Sequence, residues 1–126
     1  MSTMPCPHNS HLLVVDDDAD IRETLQLVLE EEGYRVATAA DGQQAIDLLS
    51  GSEAPCLIVL DLMMPVMDGW ELFARMREIP RLACIPVCIV SAMADMAPTD
   101  STCVLTKPVN LEALLATVRA HCPRAD

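Results

Sequence analysis

The chain predicts a doubly wound α/β domain on a five-stranded parallel sheet, and three observations carry that expectation. Five short apolar runs alternate along the sequence with segments of helical period. Three of those runs, LLVV at 12–15, CLIVL at 56–60 and VCIV at 87–90, are continuously apolar. That pattern belongs to strands buried on both faces of a parallel sheet. The length of 126 residues suits one domain, and a hydrophobic fraction of 52% is enough for a real core. Strands alternating with helices imply right-handed crossovers and helices on both faces.

The first expected strand is His11–Val15. A helix follows with Ile21, Leu25, Val28 and Leu29 on one face, stopped by Gly33 as a C-terminal cap. Tyr34–Ala39 is the second strand. Asp41 can cap a helix whose inner face is Ala45, Leu48 and Leu49. Cys56–Leu60 is the third strand, and the helix after it begins near Asp68, buries Leu72, Phe73 and Met76, and ends before Pro80. Pro86–Val90 and Cys103–Leu105 are the last two strands. The final helix begins near Asn110 and turns Leu111, Leu114, Leu115 and Val118 inward. The domain is expected over 11–122, with a flexible tail at 1–10 containing Pro5 and Pro7 and a short tail at 123–126.

Composition excludes several function classes. A net charge of −11 argues against nucleic acid, which needs Lys and Arg to neutralise phosphates, and against anionic membranes. No apolar run approaches the length of a membrane span, and the start of the chain lacks the apolar core of a secretion signal, so a cytoplasmic location is expected. Aromatics are limited to Trp70, Tyr34 and Phe73. The six cysteines (Cys6, Cys56, Cys84, Cys88, Cys103, Cys122) show no C-x-x-C spacing. Three of them lie inside apolar runs, where Cys acts as a small buried hydrophobe, and a disulfide framework is not expected. Cys6, His8 and His11 could in principle hold a metal, but a flexible tail is the preferred reading.

In open parallel sheets, ligands sit beyond the carboxyl ends of the strands at a switch in strand order. Here the first strand is followed by Asp16, Asp17 and Asp18, the third by Asp61, the fourth by Ser91 and the fifth by Thr106-Lys107-Pro108. Carboxylates gathered at one pole repel each other unless a cation compensates. Mg²⁺ suits such oxygen ligands, with Mn²⁺ as a substitute. Asp17 and Asp61 are candidate direct ligands, Asp16 a holder of metal-bound water, and the backbone carbonyl of Met63 a further ligand. A carboxylate beside Mg²⁺ can attack phosphorus, while Lys107 and Ser91 supply an ammonium and a hydroxyl to the transferred group. Each residue alone has a bland reading: Asp18 or Asp20 as a helix cap, Lys107 as a loop lysine, Ser91 as a cap. Their joint placement at successive strand ends favours function.

Taken together, LLVVDDD at 12–18, LIVLDLMMPVMDG at 57–69, VCIVSA at 87–92 and LTKP at 105–108 resemble the receiver domain of two-component response regulators. The resemblance spans about His11 to His121. It implies a flavodoxin-like (βα)5 fold with strand order 2-1-3-4-5, as in single-domain, CheY-like regulators. It implies Asp61 as phosphoacceptor, Asp16 and Asp17 as the acidic metal pocket, Ser91 as the switching hydroxyl and Lys107 as the phosphate-contacting lysine. Pro65 and Gly69 match the turn after the acceptor, and Lys107–Pro108 matches a cis peptide. The implied donor is a sensor histidine kinase or a histidine phosphotransfer protein, and the chain is expected to be a phosphoacceptor rather than a conventional enzyme.

Three departures stand out. Only 15 residues separate Ser91 from Lys107, and AMADMAPTDSTC contains Pro98 and a turn-like cluster. The family's fourth helix should therefore be short, displaced or missing, so output through that face is in doubt. Val104 stands where the family often has a switching aromatic. Met63 and Met93 lie two residues beyond Asp61 and Ser91, where thioethers position water poorly, so slow self-dephosphorylation is expected. A single-domain regulator is the leading expectation. A phosphorylation-independent scaffold is the second. A flavin protein or phosphoester hydrolase is third, disfavoured by the acidic first loop and the lack of a substrate cap.

Overall fold

The computed structural model describes residues 11–51 and 53–122. Five parallel strands, β1 (His11–Val15), β2 (Arg35–Ala39), β3 (Leu57–Leu60), β4 (Val87–Ser91) and β5 (Cys103–Thr106), form one sheet in the order β2-β1-β3-β4-β5. The strand direction of travel reverses at β1, so the crevice lies between the carboxyl ends of β1 and β3. The helices are α1 (Ala19–Glu31), α2 (Gly42–Gly51), α3 (Gly69–Arg77), the short α4 (Pro80–Ala83) and α5 (Leu111–His121).

Period-two alternation divides β1 between two cores. Leu12 and Val14 join Leu25 and Leu29 of α1 and Leu114 and Val118 of α5 on one face. Leu13 and Val15 join Ala45 and Leu49 of α2 and Leu72, Phe73 and Met76 of α3 on the other. Leu12, Leu13, Val14 and Val15 are all buried, which explains why this stretch is apolar without interruption. Each such side chain contributes about 1.5–3 kcal/mol.

Helix ends follow local chemistry. Asp18 caps α1 by accepting from the N–H of Asp20 (2.9 Å) and Ile21 (3.3 Å), and Gly33 after its end takes φ 97°. Asp41 accepts from Gln44 N–H at 2.8 Å, Asp68 from Glu71 N–H at 2.9 Å and Asn110 from Ala113 N–H at 3.0 Å.

Several expectations need correction. Leu48 is 40% exposed, because α2 presents a narrower stripe, Ala45 and Leu49 with Ile46 beside it. The helix before Pro80 does end ahead of it, at Arg77, and Pro80 opens α4 at its first turn, where a missing N–H costs nothing. Cys56 and Cys122, expected to be separate thiols, form a disulfide across a sequence separation of 66 with Cα atoms 5.5 Å apart. Cys88 and Cys103 are free. Cys6 and His8 lie outside the described residues, while His11 opens β1.

The connection from β4 to β5 carries a single 3₁₀ turn, Ala94–Met96, in place of a helix. Trp70 Nε1–H donates to Met96 O at 2.8 Å and Arg77 pairs with Asp100 at 2.9 Å, so this loop lies along α3. Val104, which a helix there would cover, is 43% exposed. Among the described residues, no helix is long and apolar enough to cross a membrane.

Candidate functional site

β1 and β3 end side by side, with Val15 opposite Leu60. Asp61 N–H donates to Val15 O at 2.9 Å and Asp16 N–H to Ala39 O at 3.1 Å, so the sheet's own hydrogen bonding delivers both carboxylates to the crevice. Asp16 and Asp61 are buried, whereas Asp17 is exposed at the mouth. Carboxylate oxygens of the three residues lie within 4.8 Å of one another.

Lys107 reaches this cluster from the end of β5. Its Nζ donates to Asp16 Oδ2 at 2.9 Å and to Asp61 Oδ2 at 3.2 Å. The Lys107–Pro108 peptide is cis, as the resemblance implied. One ammonium therefore faces three carboxylates. Burial pushes the Asp16 carboxyl above its ordinary range, and Asp61 adds to this. Lys107 and the Asp18 amide pull it down by less. Burial pulls the Lys107 ammonium down, but hydrogen bonds to Asp16 and Asp61 and their attraction outweigh it, leaving it above its ordinary value. Two acceptors share one donor, so the carboxylates stay in excess of the ammonium, which favours the proton on either group.

The donor set fits a hard divalent cation: three carboxylates, all oxygen, with Asp17 open to solvent and no sulfur or imidazole in the cluster. Met63 N–H lies 3.4 Å from Asp61 Oδ1, which fixes the loop just beyond that carboxylate. Ser91 is fully buried at the end of β4, next to Thr106 in register. Its Oγ accepts from Met93 N–H at 3.1 Å and its carbonyl from Lys107 N–H at 3.1 Å. Among the described residues, no hydrogen bond joins Ser91 Oγ to Asp61. The structure thus brings Asp16, Asp17, Asp61 and Lys107 into one cluster and sets Ser91 at its border.

One contributor was not read from the sequence. Arg22 Nη1 donates to Asp16 O at 2.8 Å, bracing the acidic turn from the first turn of α1. The spacing of six residues was the only available signal. Gly69 stands in the crowded turn expected of it: a Cβ there would meet Asp61 O and lie 2.7 Å from Leu62 Cα. Glycine lets the start of α3 approach the backbone of Asp61 and Leu62.

Comparison with known proteins points one way. The family model described as the response regulator receiver domain matches residues 12–119. A 14.6 kDa protein of Leptolyngbya boryana is 38% identical over 88% of each chain. The response regulator MprA of Mycolicibacterium vanbaalenii is 40% identical over 86% of this chain and 48% of its own, so the chain spans about half the length of that regulator. Among solved structures, the response regulator protein TrrA of Thermotoga maritima, in complex with Mg²⁺–BeF, superposes with a TM-score of 0.77 at 28% identity, over 88% of this chain and 97% of that one.

Proposed function

The chain belongs to the response regulator receiver domain family, whose general property is phosphorylation on an aspartate, and from that premise we propose that Asp61 is its phosphoacceptor. The observation that carries this reading is Lys107 Nζ held between Asp16 and Asp61 at the carboxyl ends of β1 and β3. Asp61 is the carboxylate joined to β3 and braced by Met63 N–H.

Asp16, Asp17, Asp61 and the Met63 carbonyl would hold Mg²⁺. The cation, when bound, offsets the carboxylate excess and the charge on phosphoryl oxygens. In the transfer, an Asp61 oxygen forms the new bond to phosphorus as the phosphorus–nitrogen bond of a phosphohistidine breaks. The imidazole leaves with the electron pair and later takes a proton. Lys107 then pairs with the bound phosphoryl group, and Ser91 supplies its hydroxyl from the next strand end. The donor is a sensor histidine kinase or a histidine phosphotransfer protein, and the setting is the cytoplasm. Residues 11–122 form the receiver unit, acting as an acceptor rather than as an enzyme with a separate substrate. Output runs through a surface other than the β4–β5 connection, such as the start of α1 or the loop after Asp61.

The test is incubation with Mg²⁺ and acetyl phosphate, read by intact mass, beside Asp61→Asn and a chelator control. Gain of one phosphoryl group requiring both Asp61 and Mg²⁺ is the expected result. Equal gain in Asp61→Asn would refute the assignment. No gain even from a phosphohistidine donor would favour a scaffold that has abandoned phosphorylation.

A further inference from the structure

Four cysteines share the core on the α1/α5 side of the sheet: Cys56 before β3, Cys88 in β4, Cys103 in β5 and Cys122 after α5. Cys56 and Cys122 are bonded to each other. Cys88 is fully buried, and that burial pushes its thiol well above the ordinary value, so it stays protonated and unreactive. Cys103 Sγ lies 3.4 Å from Thr117 Oγ1.

The position of the bond in the fold gives it a mechanical meaning. Cys56 and Asp61 are the two ends of one segment, locked to β1 at both: Cys56 N–H donates to His11 O at 2.9 Å and Asp61 N–H to Val15 O at 2.9 Å. Lys107 and Cys122 likewise bracket α5 and its leading loop. At one pole the disulfide joins these two segments covalently, and at the other Lys107 joins them by its ion pair with Asp61 at 3.2 Å. The β3 segment and α5 are clamped at both ends.

Near the lysine, α5 is not tightly seated. A cleft of about 580 Å³ opens between Ile21, Thr24 and Leu25 of α1 and Pro108, Val109 and Leu111. The cleft leaves the leading loop and Leu111 without packing on that side. The far end would not detach altogether. Tyr34 Oη donates to Cys122 O at 3.1 Å and Arg119 pairs with Glu32 at 3.0 Å. Breaking the disulfide loosens the helix without removing it.

We propose that Cys56–Cys122 is a reversible redox site, reduced by a protein dithiol and oxidised by the corresponding disulfide, that sets how firmly Lys107 is held at the acidic pocket. In the reduction, one thiolate of the reductant attacks a sulfur of the pair and the Cys56–Cys122 bond breaks. The reductant's second thiol then resolves the mixed disulfide. Two electrons and two protons pass to this chain, and the reductant leaves as a disulfide. Of the bonded pair, Cys56 is 8% exposed and Cys122 2%.

This coupling rests on the acceptor reading, and the experiment separates the two. Oxidised protein and the Cys56→Ser/Cys122→Ser variant are titrated with beryllofluoride in Mg²⁺, followed by Trp70 fluorescence. Thiol state at Cys56 and Cys122 is mapped by differential alkylation after equilibration with dithiothreitol. Should the variant not fold, reduced wild-type protein takes its place. The expected result is ready exchange of this pair in the native fold, with affinity about fivefold or more higher in the oxidised form. A pair that exchanges only on unfolding, or equal and measurable affinities, would overturn the proposal. Binding in neither form would count against the acceptor reading, and hydrogen exchange at 107–111 then decides the coupling: faster in the reduced form supports it, unchanged refutes it.

Discussion

Gly69→Ala tests how closely α3 must approach the acceptor. An added methyl would press on Asp61 O, with Leu62 Cα at 2.7 Å and Asp61 C at 3.1 Å. All three neighbours are backbone held in β3 and its exit, so none can swing aside. An ordinary contact starts at 3.4 Å, and α3 must therefore retreat by about 0.7 Å from Leu62. Overpacking of this kind costs about 1–3 kcal/mol. The Gly69 N–H to Leu62 O bond of 2.9 Å stretches as well, for about 1 kcal/mol more. Alanine's better helix propensity returns about 0.5–1 kcal/mol. The net loss is about 2 kcal/mol, or about 1 M in urea midpoint at an m-value of about 2 kcal/mol/M. Gly51→Ala is the control, since nothing lies within 4 Å of its added Cβ, and there the midpoint should rise slightly. Two substitutions with the same effect, or an unchanged midpoint for Gly69→Ala, would refute the steric argument.

Val66 sits 80% exposed at φ 68°, a conformation that costs a β-branched residue about 1–2 kcal/mol, so Val66→Gly should raise the urea midpoint. Losing the Cys56–Cys122 bond should cost roughly 4 kcal/mol by chain entropy for its sequence separation of 66, measured by urea unfolding of the double serine variant. The His11 imidazole is held below its ordinary 6.5 by burial and then by Arg35, with Glu53 opposing. It binds protons more readily unfolded than folded, so stability should fall as pH drops through 6.5, and His11→Gln should flatten that limb of the pH profile. Met63 and Met93 are 54% and 38% exposed and present thioethers beside the acceptor and Ser91. Replacing them by Asn and Glu should shorten the acyl phosphate lifetime in a mass-resolved decay, and unchanged decay would remove that role.

The strands and the acidic pocket were legible because both depend on short-range sequence. Continuous apolar runs report burial on two faces, and residues after each run must arrive at the same sheet edge. Asp16, Asp17, Asp61 and Lys107 duly form one cluster. What depends on distant partners was hidden. The Cys56–Cys122 bond joins residues that share no local pattern, and nothing in either neighbourhood distinguishes them from the buried thiol of Cys88. Leu48 satisfies a helical period, yet α2 packs where the sheet covers only part of that stripe. The φ of Val66 runs against its residue type, so propensity points away from it.

The missing helix between β4 and β5 constrains how a change at Asp61 can travel. The core on that face stays closed by other means: Leu82 and Ile85 around α4, Ala97 packed from the loop, and Trp70 bonded to Met96 O. The 3₁₀ turn at Ala94–Met96 touches β5, yet it leaves Val104 facing solvent. Two mechanical links still leave the pocket. One runs from the acceptor loop to α2, where Gly42 N–H donates to Met67 O at 2.9 Å and a Cβ on Gly42 would strike the same oxygen at 2.7 Å. The other runs from Lys107 to α5, whose far end is tied to Cys56. A strained, exposed Val66 lies on the first link and a disulfide on the second. On the proposed reading, movement of the loop after Asp61 or of α5 is what a partner would sense, and both surfaces lie away from the face without a helix.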